Sequence, residues 1–123
     1  MRIFSLPILA SMMSLFLTEV ASAHAYPAQE TPKSGAIVAV APNIVSIMFT
    51  EDVNAHFSGI VVTNKSGQRV DDGDILRDVN NHKILSVGLK KDDLPAGVYK
   101  VIWHALSNDG HRTQGSYEFT ERK

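Results

Sequence analysis

Residues 98–106 read Val98-Tyr99-Lys100-Val101-Ile102-Trp103-His104-Ala105-Leu106 (VYKVIWHAL). Successive side chains of an extended segment point to opposite faces. Tyr99, Val101 and Trp103 therefore share one face, and His104 lies on the other. Aromatic and β-branched residues at a period of two read as a half-buried strand. Leu94-Pro95-Ala96-Gly97 punctuates the chain just before it. Working outward, Ser116–Thr120 (SYEFT) repeats the alternation with Tyr117 and Phe119. Toward the start of the chain, Ile84–Leu89 is a short apolar run and Phe57–Thr63 (FSGIVVT) is rich in β-branched residues. Ile44–Thr50 sets Val45, Ile47 and Phe49 on one side, with Ser46 and Thr50 on the other. Asn64-Lys65-Ser66-Gly67 reads as a turn. Residues 71–83 (DDGDILRDVNNHK) are polar and acidic, and a loop is expected there. No segment sustains a helical period. Short strands spaced by Gly, Pro and Asn turns predict an all-β fold, an antiparallel sandwich or barrel.

The first 23 residues differ in kind. Arg2 and the initiator amine make a positive start, Ile3 to Leu17 is mostly apolar, and Ala21-Ser22-Ala23 is a small-x-small cleavage pattern. A spanning helix needs about 20 apolar residues, and this run is shorter. Residues 1–23 are therefore expected to be a cleavable signal peptide, leaving residues 24–123 as one domain with enough chain for a single core. Arg2 and Glu19 leave together, so the net charge of −1 is unchanged. That balance lacks the basic stripe of a nucleic-acid binder. The chain has no cysteine, so an exported protein of this sequence has neither disulfides nor thiolate metal ligands. Any metal must sit on nitrogen and oxygen.

Cleavage after Ala23 makes His24 the first residue. Its free α-amine and ring Nδ1 then close a six-membered chelate on a metal, which an internal histidine cannot do because its backbone nitrogen is an amide. A second candidate group, Asp109-Gly110-His111, stands between the last two strands. On an extended chain Asp109 and His111 point the same way; Asp-Gly is equally an ordinary turn dipeptide that needs no function. Together with His24 they make a set of three nitrogens and one oxygen, the kind that suits Cu(II). Zinc accepts such ligands but prefers a tetrahedral site. His104 reads as a residue of the outer strand face near this loop, His56 as a turn residue, and His82 as solvated. No Ser-His-Asp or Cys-His arrangement and no phosphate-binding glycine loop stands out.

In order and spacing the sequence resembles the CopC family of periplasmic copper-binding proteins. The resemblance runs from His24-Ala25-Tyr26 through Thr31-Pro32-Lys33-Ser34-Gly35 and Ala41–Val53, and is strongest over Leu94–Trp103, Ser107–His111 and Gly115–Phe119. It implies a small antiparallel Greek-key β-sandwich or barrel, Ig-like, spanning residues 24–123. It also implies one Cu(II) ion held by His24 through amine and imidazole, with Asp109 and His111 completing the set. Some members carry a Cu(I) site in a methionine-rich loop; Val62–Ser86 contains no methionine, so none is expected. Members serve copper resistance or uptake, sometimes beside an inner-membrane CopD-type partner. The expected role is a periplasmic Cu(II) carrier or buffer and not an enzyme, with affinity falling below about pH 6 as protons compete for the nitrogens. The competing readings are a copper oxidase or monooxygenase with a histidine brace, and a metal-free interaction module.

Overall fold

The computed structural model describes residues 24–90 and 94–122. The expected signal peptide, residues 1–23, lies outside the described residues. Eight strands follow one another: β1 (Pro27–Thr31), β2 (Ile37–Val38), β3 (Ile44–Phe49), β4 (Gly59–Thr63), β5 (Asp71–Arg77), β6 (Ile84–Leu89), β7 (Gly97–Leu106) and β8 (Arg112–Glu121). They form two four-stranded sheets, ordered β1-β3-β6-β5 and β2-β8-β7-β4. β2 runs parallel to β8, and the remaining pairs are antiparallel. Among the described strands, only β5–β6 and β7–β8 are hairpins within a sheet, and the other successive strands lie in different sheets. The fold is the all-β sandwich that the alternation predicts.

The period of two builds the core. Val45, Ile47 and Phe49 of β3 and Leu85, Val87 and Leu89 of β6 face inward from one sheet. Ile60 and Val62 of β4, Tyr99, Val101 and Trp103 of β7, and Tyr117 and Phe119 of β8 meet them from the other. The Tyr99 and Phe119 rings stack at 5.4 Å between centroids, and Phe49 meets Trp103 edge-on at 5.4 Å, both favoured aromatic geometries. Opposite Trp103 across the ladder stands Gly115. A Cβ there would lie 2.7 Å from Trp103 Cζ2, so the indole occupies space that only glycine leaves open.

Residues 71–83 depart from expectation. Asp71–Arg77 is a strand, not a loop, paired with β6 through Asp71↔Leu89 and Ile75↔Val87, with a bulge between. Gly73 supplies the positive φ of 76° inside that bulge. The strand is held by what Asp71 does. Its buried carboxylate accepts the Val62 and Gly73 N–H groups, each at 2.9 Å, and Arg69 Nε at 2.9–3.0 Å. An edge strand exposing acidic side chains is a common guard against edge-to-edge pairing, and its composition imitates a loop. Two further strands carried no apolar alternation to find, β1 and the two-residue β2. The expected run from Phe57 begins two residues later, at Gly59; Phe57 itself is exposed.

Candidate metal centre

The β7–β8 hairpin builds one half of the site. Leu106↔Arg112 is its last rung, and residues 107–111 close the turn. Gly110, at φ 89°, gives the backbone the left-handed step, and its N–H reaches the Ser107 carbonyl at 3.0 Å. The segment is thus the tight turn of the alternative reading rather than an extended strand. Yet the turn itself brings the two side chains together, with Asp109 Oδ2 lying 3.0 Å from His111 Nδ1. Ser107 is buried, and its hydroxyl donates to Asp109 Oδ1; the His111 N–H also points to Oδ1, at 3.4 Å. The Ser107 hydroxyl, with help from His111, holds the Asp109 carboxyl below the usual carboxylate range, so it stays an anion ready to meet a cation.

The other half arrives from the start of the described chain. The His24 ring lies 4.6 Å from the His111 ring, centroid to centroid, tilted by 35°. Tyr26 flanks it at 6.1 Å. Ala25, fully buried, is the first core residue of the arm. Its carbonyl accepts a hydrogen bond from Thr113 Oγ1 at 2.6 Å. The His24 carbonyl accepts one from Thr50 Oγ1 at 3.3 Å, and Thr50 Oγ1 in turn accepts the Tyr26 N–H at 3.1 Å.

The Asp109–His111 contact has the length of an ordinary ion pair and the two histidine rings lie side by side; the same separations are those of adjacent ligands at right angles on one ion. Two donors about 2.0–2.1 Å from one ion stand about 2.9 Å apart when adjacent, and two adjacent imidazoles have centroids about 4.5 Å apart. The Asp109–His111 and His24–His111 separations match these values. Among the described residues no group of three His, Asp or Glu side chains already converges on one point; the site consists of two adjoining pairs that share His111. The His24 α-amine is a further donor that exists only where the chain begins at His24.

The remaining histidines stand apart from this arrangement. His104 is exposed on the outer face of β7, its ring over Gly59 of β4, where a Cβ would come within 2.7 Å of His104 Cε1. His56 and His82 are exposed in connections. Sequence reasoning missed Ser107, Thr50 and Thr113. Hydroxyl residues carry no periodic signal, and the Thr113–Ala25 contact spans 88 residues.

The CopC domain family model matches residues 28–122. The copper transport protein CutJ of Bacillus subtilis is 37% identical over 113 residues, covering 92% of this chain and 21% of that protein, so the chain spans about a fifth of it. Protein YobA of Escherichia coli strain K12 is 34% identical over 112 residues, covering 91% of this chain and 90% of that protein. The crystal structure of CopC from Methylosinus trichosporium OB3b superposes with a TM-score of 0.73 at 28% identity, covering 80% of this chain and 93% of that one.

Proposed function

This chain belongs to the CopC family, and from that premise we propose that it is a periplasmic Cu(II) carrier or buffer, active in the form that begins at His24. The observation that carries the proposal is the meeting of the first described residue with a turn nearly ninety residues later. His24 and His111 stand at the spacing of adjacent imidazole ligands, and Asp109 stands at the spacing of an adjacent carboxylate. Copper is the cargo. The relative CutJ is named a copper transport protein, and a cysteine-free set of nitrogen and oxygen donors favours Cu(II) over softer ions. In this reading the His24 amine and imidazole chelate the ion, His111 gives a second imidazole, and the Asp109 carboxylate neutralises part of the charge. Asp109 Oδ2 and His111 Nδ1 lie 3.0 Å apart, and in this reading both turn to the ion. Val62–Ser86 lacks methionine, so the proposal includes no Cu(I) site. An inner-membrane partner of CopD type is the proposed recipient or source of the ion. The role is carriage and not catalysis: reductant-dependent peroxide formation by the loaded protein should not exceed that of free copper.

The test begins with mass spectrometry of the exported protein, expected to place the N-terminus at His24. Competition titration with Cu(II) follows. His24→Ala, or one extra residue before His24, should each lower affinity at least a hundredfold, since each removes donors from the chelate rather than a supporting contact, whose loss typically costs 10–100-fold. Equal affinities in all three proteins would defeat the proposal.

A further inference from the structure

Two threonines outside the donor set fasten the arm that carries His24. Thr113 Oγ1 donates to the Ala25 carbonyl at 2.6 Å, and Thr50 Oγ1 donates to the His24 carbonyl at 3.3 Å. These are consecutive carbonyls held from opposite sheets. Thr50 directly follows β3 in the first sheet, while Thr113 lies in β8 of the second, two residues beyond His111. Between them the Ala25 side chain is fully buried. Thr50 is tied in twice more, through the Tyr26 N–H to its Oγ1 at 3.1 Å and through its own N–H to the Tyr26 carbonyl at 2.8 Å.

Resting on the copper reading above, we infer that Thr113, seconded by Thr50, is a positioning residue for the metal: its hydroxyl fixes the backbone of the arm so that the His24 imidazole stands beside that of His111 before any ion arrives. A chain end loose at this point would have to be ordered at the moment of binding. Ordering the backbone of one residue weakens a binding constant about five- to thirtyfold. Thr113 is suited to this task because it lies two residues beyond His111, at the start of β8, so one short segment of the hairpin carries one ligand and the clasp for the other. Neither threonine touches the ion, and their effect passes entirely through the arm.

The experiment uses the full chain, exported and recovered with its N-terminus verified. Wild type, Thr113→Val, Thr113→Ser, Thr50→Val and His24→Ala are titrated with Cu(II) against a chromophoric competitor, with electron paramagnetic resonance spectra of the loaded forms. Thr113→Val keeps the shape of the side chain and removes the hydroxyl. It should lose about five- to thirtyfold in affinity and show an altered copper spectrum, while Thr113→Ser restores both. Metal-free melting temperatures identify any general loss of packing, and Thr50→Val gives an independent reading should Thr113→Val fold poorly. Wild-type affinity and spectrum in both valine variants would overturn the inference while leaving the copper reading intact. Wild type that fails to bind, or that binds no better than His24→Ala, would overturn the copper reading and this inference with it.

Discussion

Ser107 shows how much of the proposed site rests on residues outside the donor set. Its buried hydroxyl reaches Asp109 Oδ1, which leaves Oδ2 to face His111. Removing a partner that orients a metal ligand typically costs 10–100-fold in affinity. Ser107→Ala should therefore weaken Cu(II) binding by about tenfold, read by the same competition titration; because the hydroxyl also reaches the His111 carbonyl at 3.2 Å, the metal-free melting temperature is measured beside it. At this scale the sequence points to residue types. A histidine after a cleavage pattern and an Asp-Gly-His turn are visible as candidate donors because few residue types bind metals, and the fold brings their side chains together. The hydroxyl groups that aim them are not visible, since serine and threonine serve in every turn and strand. Only the fold reveals that Thr113 lies against Ala25.

Strands whose two faces differ were legible, and strands that are polar throughout were not. β3, β7 and β8 bury one face and solvate the other, so their alternation is written in the chain. β5 exposes Asp72 and Asp74 and is fixed by long-range ladder bonds to β6 and by the buried Asp71 carboxylate. Composition reports neither. Burial opposes ionisation of Asp71, yet Arg69 and the N–H groups of Val62 and Gly73 outweigh it and hold the carboxyl below its usual range. A carboxyl lowered in the folded state stabilises the fold above the unfolded-state value, about 3.9 for aspartate, and that contribution fades as pH falls through the lower folded value. Asp71→Ala strands two backbone donors and should cost about 2–3 kcal/mol at neutral pH, measured by urea unfolding. The difference from wild type should shrink as the pH of the titration is lowered toward 2; a constant difference would show that Asp71 contributes only by its shape.

Across the whole molecule, the proposed site ties the start of the folded chain to a turn at residues 107–111, closing a loop through both sheets. A ligand that binds only the folded form stabilises it by RT ln(1 + [L]/Kd), about 2.7 kcal/mol at a hundredfold excess over Kd. Cu(II) at that excess should therefore raise the melting temperature of the form beginning at His24 by about 10 °C or more. It should raise that of a form with one added N-terminal residue much less. Equal shifts, read by calorimetry, would mean that the ion sits elsewhere.

The direction of β8 also sets how the domain can be handled and joined. The strand leaves the Asp109–His111 turn at Arg112 and runs for 10 residues to Glu121, about 33 Å of extended chain. Under the proposed function one end of the sandwich holds the ion and needs a bare amine at His24, and the opposite end is where the described chain departs. The molecule has a handle and a working tip. Affinity tags, surface linkers or fused domains attached beyond Arg122 leave the tip open, whereas the same additions ahead of His24 cap it.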